Sequence, residues 1–281
     1  MQQCRTLLVL LVAACLLAPA SAQQFRQPPA YRILVTNDDG VRAPGIAAVA
    51  QALQAIGTPI IVAPADNQTG KGHSIVTSEP VLRQDVKLPN GLPAIGLTAT
   101  PASTVDIAIR NIVSPRPDLV VSGVNPGYNF GFSVSVSGTV GAARMAAMHG
   151  IPAIAISQAA GAFSRELVFA AEEAIWVARR VKAYGLPPNT FLNVNVPPMP
   201  AGGYKGYMIT TQALAPGGDS RFAEQKNPRG QILYWNLYKE GGPAPEGTDM
   251  WAVANGWVSV TPMRLGETDP AQFEALKAIF K

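Results

Sequence analysis

The chain has 281 residues and a formal net charge of +4, with 48% hydrophobic and 14% charged residues. Charges this sparse and scattered do not build the basic patch that nucleic-acid binding needs, so we expect no nucleic-acid partner. The length suits one large α/β domain or two small ones, and either can bury a core without disulfide bonds.

The first 22 residues have the pattern of a cleaved export signal. Arg5 provides a positive charge, an apolar run follows from residue 7 to residue 17, and Ala20-Ser21-Ala22 forms a small-x-small cleavage site. The apolar run is too short to be a permanent membrane span. We therefore predict that the protein is exported to the periplasm and that its signal peptide is cleaved after Ala22. Residues 23–30 are predicted to be a flexible lead-in.

A second interpretation of this segment stays open. Val12-Ala13-Ala14-Cys15 resembles a lipobox, which would make Cys15 a lipidated N-terminus. The only other cysteine is Cys4, so cleavage after Ala22 would leave a chain without thiols, disulfides or zinc–thiolate sites.

The next residues predict a β-α-β unit. Residues 33–36 form a short β-branched run that is typical of a buried strand, and the turn-forming Asn37-Asp38-Asp39-Gly40 ends it. A helix is predicted from Pro44 to Gly57, and a second buried strand covers residues 59–63. The sheet should therefore be parallel, with right-handed crossovers.

The same alternation continues and predicts a Rossmann-like, mainly parallel α/β sheet with helices on both faces. Between Pro64 and Pro101 the helical period fades, and short alternating pieces suggest hairpins over the site. The further predicted elements are strands at 118–123, 151–157 and 191–196, and helices at 139–148 and from Ser164 to Gly185.

After about Gly206 the pattern changes to strand-like, aromatic segments at 207–211, 231–239 and 249–262, separated by Gly/Pro turns. An aromatic hairpin of this kind cannot bury itself, so it should pack on the core or on a partner chain. We therefore divide the chain into a core at 31–205 and a C-terminal β-hairpin and oligomerisation region at 206–281. The aromatic residues concerned are Tyr234, Trp235, Tyr238, Trp251 and Trp257.

The first group of candidate site residues is Asn37-Asp38-Asp39-Gly40, at the carboxyl end of the first strand. Ligands bind at this edge of open α/β sheets. Two adjacent carboxylates repel each other, and a divalent cation would offset the repulsion; oxygen ligands favour Mg²⁺, Mn²⁺ or Ca²⁺. The same four residues also suit an ordinary turn.

The second group follows the second strand, and the third lies beyond the strand at 118–123. Their hydroxyl, amide and ammonium groups could serve a metal or a phosphate, although the loop residues also fit a solvated polar loop and ordinary Gly-rich turns. Ser137-Gly138-Thr139 opens a helix whose free N–H groups favour phosphate. The loop residues concerned are Asp66, Asn67, Thr69, Gly70, Lys71, His73 and Ser74 of the second group and Asn125, Gly127, Asn129 and Gly131 of the third.

All these loops follow strands of one parallel sheet, so they should meet at one edge. The residues alone predict a metal and phosphate site there, and they specify neither the reaction nor the substrate.

Several blocks resemble the SurE family of survival-protein nucleotidases. Residues 33–40 with Ala43-Pro44-Gly45-Ile46 resemble its opening, and residues 117–131 with Ser137-Gly138-Thr139-Val140 resemble a later block. Further matching blocks, in the same order, are Val62-Ala63-Pro64 with Thr69-Gly70, residues 193–197, Gly247-Thr248-Asp249 and residues 258–262.

The resemblance implies a Rossmann-like core, a C-terminal hairpin exchanged between subunits, and a homodimer or homotetramer. It also implies hydrolysis of nucleoside monophosphates with a divalent cation, Mg²⁺ or Mn²⁺ before others. By the same resemblance, Asp38 and Asp39 are catalytic; Asp38, Asp39, Thr69 and Asn125 are metal ligands; and Asn37, Gly70, Ser137, Gly138 and Thr139 contact the phosphate.

The sequence departs from the family's usual pattern at several places. Thr69 stands where serine is usual, residues 132–136 lack the common acidic residues, and Arg144 to Met148 lack a glutamate that is often present. A degenerate homologue that binds nucleotide without hydrolysis is therefore an alternative. A receiver-like domain fits less well because of the export signal, and a histidine acid phosphatase lacks its Arg-His-Gly motif here.

Overall fold

The computed structural model describes residues 30–159, 164–199 and 202–280. The predicted signal peptide and the lead-in up to residue 29 lie outside this part. Within these ranges no helix combines the length and the apolar character that crossing a membrane requires.

Eleven strands are present in the described residues. Two of them, β9 and β10, form a separate antiparallel hairpin, and the other nine form one sheet in the order β3-β4-β2-β1-β5-β6-β7-β11-β8. The strands are β1 Arg32–Thr36, β2 Thr58–Pro64, β3 Arg83–Lys87, β4 Pro93–Leu97, β5 Leu119–Pro126, β6 Ala153–Gln158, β7 Thr190–Val196, β8 Tyr207–Ile209, β9 Gly218–Lys226, β10 Ile232–Glu240 and β11 Val258–Arg264.

Six α-helices connect these strands in the same residues, with a π-helical turn at Ala108–Ile112 and a 3-10 turn at Gly131–Val136. The helices are α1 Pro44–Leu53, α2 Pro101–Ile107, α3 Gly138–Met148, α4 Ser164–Tyr184, α5 Asp249–Ala254 and α6 Pro270–Ile279.

Alternate side chains of β1 enter two different cores. Ile33 and Val35 pack with the helices α1 and α4, whereas Leu34 packs on the other face with α2 and α3. Successive side chains of a strand point to opposite faces, so a run of buried apolar residues needs cover on both sides. The prediction of a mainly parallel sheet with helices on both faces is confirmed.

The sheet is parallel from β4 through β7, and antiparallel pairing occurs between β3 and β4 and between β7 and β11. The predicted hairpin before Pro101 exists as β3 and β4. It extends the sheet beside β2, however, and does not lie over the candidate site, because β4 hydrogen-bonds to β2 in register Val62 with Ile95.

The region after residue 206 contributes to the main sheet as well as to the hairpin, because β11 pairs with β7 and β8 pairs with β11. The prediction of a strand at 249–254 is wrong, since these residues form α5. Thr248 caps this helix by accepting a hydrogen bond from the backbone N–H of Trp251, and Asp249 lies in the first turn, where a negative charge favours the helix dipole.

The β9–β10 hairpin pairs over nine residues a side and carries large exposed apolar side chains. Tyr234 and Trp235 lie on β10, whereas Trp251 belongs to α5 and Trp257 precedes β11. The exposed set is Phe222, Ile232, Leu233, Tyr234, Trp235, Leu237 and Tyr238.

Candidate active site

The two adjacent carboxylates lie directly after β1, at the carboxyl edge of the sheet. Asp38 is 2% exposed and Asn37 is fully buried. The Nδ2 of Asn37 donates to the carbonyl of Gly40 at 2.9 Å and closes the turn, while Gly40 itself has a positive φ of 104° that favours glycine. The ordinary turn that these residues also suit is therefore present, and it holds Asp38 and Asp39 at the sheet edge where the candidate site lies.

The N-terminus of α3 meets Asp38. The hydroxyl of Thr139 donates to Oδ1 of Asp38 at 2.6 Å, and the backbone N–H groups of Gly138 and Thr139 also hydrogen-bond to this carboxylate. A Cβ on Gly138 would lie 2.7 Å from Cβ of Asp38, so only glycine permits this approach. The free N–H groups at the N-terminus of α3, which favour an anion, are thus directed at the carboxylate of Asp38.

Both carboxyl groups have raised pKa values. Burial raises the pKa of Asp38, and the hydrogen bonds from Thr139 and Gly138 oppose that rise. Burial, and secondarily the charge of Asp38, raise the pKa of Asp39 to about 7. A bound cation would favour the charged forms and counteract both effects.

The loop after β2 packs against this turn. The backbone N–H of Gln68 donates to the carbonyl of Asp38 at 2.6 Å, and the N–H of Val41 donates to the carbonyl of Pro64 at 2.7 Å. Thr69 and Gly70 lie exposed at the rim of the loop, where the N–H of Thr69 donates to Oδ1 of Asn67. The loop as a whole is therefore brought to the site, with Thr69 at its solvent side.

Asn125 lies at the end of β5, the strand next to β1. The two strands pair in register up to Thr36 and Ser122, and Asn125 comes three residues later, after an irregularity in β5. Its Nδ2 donates to the carbonyl of Gly127 at 2.7 Å, so Oδ1 is the side-chain atom that remains available as a metal ligand. Strand pairing brings the ends of β1 and β5 to the same edge of the sheet, and the shared role of their loops stays a prediction.

Two asparagines on β7 hold the Gly/Asn-rich loop in place, although no individual role was predicted for either of them. The carbonyl of Asn129 accepts from Nδ2 of Asn193 at 2.6 Å and from Nδ2 of Asn195 at 3.0 Å, while the N–H of Asn129 donates to Oδ1 of Asn195. All three side chains are at most 8% exposed. The sequence signal that could have identified them is the presence of polar residues on a mostly buried strand.

A third support comes from Asp249 at the start of α5. Its carboxylate, which is fully buried, accepts from the backbone N–H of Gly131 at 3.1 Å and of Ala213 at 2.9 Å. Burial raises the pKa of Asp249, and these backbone donors oppose the rise. The sequence reasoning placed Asp249 in a strand and so missed this contact.

The donors at the edge suit a hard divalent cation. Within the part of the chain that the structure describes, Oδ2 of Asp39 and Oδ1 of Asn37 are buried without a hydrogen-bond partner, and such oxygens are rare unless they bind something. Among the described residues no group of three or more His, Cys, Asp and Glu forms a metal cluster, so a soft, zinc-type site is not indicated there. Two carboxylates with amide and hydroxyl oxygens fit Mg²⁺ or Mn²⁺.

His73 and the residues beside it lie apart from the carboxylate pair. His73 and Ser137 line a cleft along α3, and Lys71 and Ser74 are exposed on the approach to it. A second, apolar cleft of about 290 Å³ adjoins the Gly/Asn-rich loop, where Tyr128 stacks on Phe130 with ring centroids 4.9 Å apart.

Comparison with known proteins gives concordant results. The family model described as survival protein SurE matches residues 33–217. The chain is 42% identical over 252 residues to a protein named 5′-nucleotidase SurE from Geobacter sulfurreducens, covering 88% of this chain and 92% of the relative. It is 39% identical over 252 residues to 5′-nucleotidase SurE 1 from Thermus thermophilus, covering 89% and 98%.

The fold agrees with a solved structure as well. The crystal structure of SurE protein from Aquifex aeolicus superposes with a TM-score of 0.74 at 35% identity, covering 89% of this chain and 100% of the other. A matching family model, closely related sequences along most of the chain and a shared fold point the same way. The chain therefore belongs to the SurE family.

Proposed function

We propose that this protein is a divalent-metal-dependent phosphomonoesterase that hydrolyses nucleoside monophosphates, as a 5′/3′-nucleotidase. The observation that carries the proposal is the direct contact of Asp38 with the N-terminus of α3, beside Asp39 and Asn125 on one sheet edge. The names of the related 5′-nucleotidases support the same activity.

In this proposal Asp38, Asp39, Thr69 and Asn125 hold the cation. The cation supplies Lewis-acid stabilisation for the charge on the phosphoryl oxygens. The choice of Mg²⁺ or Mn²⁺ follows from the oxygen-only donors, and the oxygen of Asn125 is available because its amide nitrogen is bonded to Gly127.

The phosphate would lie between the carboxylates and the start of α3. We assign Asn37, Gly70, Ser137, Gly138 and Thr139 to this side of the site. Gly138 and Thr139 also fix the carboxylate of Asp38, so their main effect is to orient a ligand group, which is what phosphoryl transfer chiefly needs.

The test is release of inorganic phosphate from 5′-AMP and 3′-AMP by the purified protein, before and after dialysis against EDTA. Activity should disappear on dialysis and return with Mg²⁺ or Mn²⁺. Asp38→Asn should lower kcat by at least ~10²-fold, as for loss of a key catalytic group, whereas Asp85→Asn on the exposed face of β3 should not. Full activity in EDTA, or wild-type activity of Asp38→Asn, contradicts the proposal.

We also propose that the protein is a homodimer or homotetramer and that the β9–β10 hairpin takes part in the assembly. The hairpin exposes Trp235 at 56% and Leu237 at 59%, and a cluster of exposed large apolar side chains marks an interaction surface. Sedimentation velocity should show an oligomer that Trp235→Ser with Leu237→Ser weakens. A monomer for the unchanged protein would oppose this.

The export signal is the remaining proposal. Mass analysis of the protein from a periplasmic extract should give an N-terminus at Gln23. A lipidated N-terminus at Cys15, abolished by Cys15→Ser, would support the lipoprotein alternative instead.

A further inference from the structure

A cleft of about 270 Å³ runs along one face of α3. Ser137, Val140, Gly141 and Arg144 contribute to its lining from α3 and its N-cap, and His73 and Glu267 contribute from two other segments. We call this space the α3 cleft. The candidate metal and phosphate ligands of the proposed function include only Ser137 from its lining.

The α3 cleft starts at the phosphate end of the site. Ser137 caps α3 by accepting the backbone N–H of Val140 at 3.1 Å, and Arg144 follows seven residues after Ser137 on the same helical face. The two positions are about 10 Å apart along the helix axis. Both side chains line the same cleft.

Arg144 is a largely buried cation with an exposed partner. Its side chain is 18% exposed, and it forms an ion pair with Glu267, whose side chain is 75% exposed. Glu267 lies in the segment between β11 and α6, so a solvated carboxylate on a loop satisfies a guanidinium in a cleft. A ligand phosphate can replace such a carboxylate, because both accept paired hydrogen bonds from arginine.

His73 provides a second polar group in the lining of the α3 cleft. Nε2 of His73 is buried and has no hydrogen-bond partner among the described residues. The loop that carries His73 is fixed on α3, because the N–H of Gly72 donates to the carbonyl of Val136 at 2.9 Å and Gly141 permits close approach of Gly72. A buried nitrogen without a hydrogen-bond partner in a charged cleft is better explained by a ligand that binds there than by side-chain packing alone.

We propose that the α3 cleft binds a second phosphate group on the substrate. This inference rests on the proposed function, and it names nucleoside 3′,5′-bisphosphates as a substrate class: one phosphate is hydrolysed, and the other replaces Glu267 on Arg144. The step is hydrolysis of one P–O ester bond by water, which yields a nucleoside monophosphate and inorganic phosphate.

The opposing explanation is that Arg144 and Glu267 form only a structural ion pair. In that case removal of either partner has a similar effect and leaves substrate choice unchanged. The proposal predicts opposite effects, because Arg144 attracts the second phosphate and Glu267 competes with it.

The experiment measures kcat/KM for adenosine 3′,5′-bisphosphate and for 5′-AMP with the full exported protein and Mn²⁺. Arg144→Gln should lower the bisphosphate-to-AMP ratio by roughly tenfold or more, the usual effect of losing charge-assisted hydrogen bonds. Glu267→Gln should raise the ratio. Arg83→Gln, which breaks the exposed pair with Asp85 at 2.8 Å, is the matched control and should leave it unchanged.

An unchanged ratio in Arg144→Gln, or a change of the same sign in Glu267→Gln, overturns the proposal. If Arg144→Gln does not fold, Arg144→Lys tests the same contact, since lysine keeps the charge and loses the paired hydrogen bonds. Glu267 is exposed, so its variant should fold in either case.

Calorimetric binding separates this proposal from the proposed function. The Asp38→Asn protein should bind adenosine 3′,5′-bisphosphate about tenfold more tightly than 5′-AMP, and adding Arg144→Gln should remove the difference. Equal binding of both nucleotides overturns the α3 cleft proposal while AMP hydrolysis by the unchanged protein still stands. Tight binding of the bisphosphate, together with no hydrolysis of either nucleotide by the unchanged protein with Mn²⁺, overturns the proposed function alone.

Discussion

The hydroxyl of Thr139 donates a hydrogen bond of 2.6 Å to Oδ1 of Asp38, although 101 residues separate the two in the chain. The bond ties the turn after β1 to the first turn of α3 and fixes the orientation of one buried carboxylate. In the proposed function, the N-terminus of α3 would therefore act on the phosphate partly through an acidic side chain.

Thr139→Val should lower kcat for AMP by roughly tenfold, because it removes a hydrogen bond to a charged group worth about 1.5–3 kcal/mol while keeping the side-chain volume. Thr139→Ser retains the hydroxyl and should recover most of the activity. Steady-state kinetics on the three proteins make the comparison. Equal rates for valine and serine variants would show that the bond does not matter for turnover.

Gly138→Ala should lower kcat/KM strongly and change the free energy of unfolding much less. The added Cβ would lie 2.7 Å from Cβ and 2.8 Å from Oδ2 of Asp38, so the carboxylate must move. Gly266→Ala is the control, since no atom of the described residues lies within 4 Å of its added Cβ. We expect at least ~10²-fold loss of kcat/KM for Gly138→Ala, as positioning errors near 1 Å produce. Activity equal to that of the control would contradict the close approach.

Removal of the cation should lower the melting temperature. Asp38 is buried, Asp39 beside it is partly buried, and their carboxylates repel each other when charged. A ligand that binds only the folded state stabilises it by about 2.7 kcal/mol at one hundred times its Kd. Differential scanning calorimetry with EDTA and with Mn²⁺ should show this difference. Asp39→Asn relieves the repulsion, so its metal-free form should melt higher than the metal-free parent, and Mn²⁺ should raise its melting temperature less.

Asp249→Asn should destabilise the loop that carries Asn125 and Gly131. The carboxylate accepts the N–H groups of Gly131 and Ala213, and an amide turns one acceptor into a donor that faces a donor. The expected cost is about 1–3 kcal/mol in the free energy of unfolding, measured in urea. Asp219→Asn on the exposed hairpin is the control and should cost less than about 1 kcal/mol.

The interaction of Asp106 with His149 predicts a pH dependence of stability. Burial alone would raise the pKa of Asp106, but hydrogen bonds from Arg110 and from His149 at 2.6 Å outweigh it, so the pKa lies below the usual 3.8. A lowered carboxyl pKa adds stability that is fully present above pH 3.8 and disappears as the pH falls through the folded-state value.

Urea unfolding at pH 6 and near pH 3 measures this contribution. Asp106→Asn should be less stable than the parent at pH 6, by no more than about 1 kcal/mol because the pair is partly exposed, and the difference should shrink near pH 3. A difference that is the same at both pH values would assign the effect to packing.

Much of the fold is determined by local sequence. The buried apolar run at residues 33–36, the turn at Asn37–Gly40 and the helix from Pro44 follow from period, turn chemistry and a helix-starting proline, and the structure contains them as β1, its turn and α1. Because parallel strands present their carboxyl ends at one edge, topology also predicted that the turn, the next loop and Asn125 would meet.

Tertiary structure alone decided which groups touch at that edge. Asp249 reads locally as part of an aromatic strand, yet it lies in the first turn of α5 and accepts a hydrogen bond from Gly131 across 118 residues, and 101 residues separate Thr139 from Asp38. Period and propensity describe neighbours within one or two turns, whereas hydrogen bonds of buried carboxylates depend on how distant segments pack, and no local pattern encodes that.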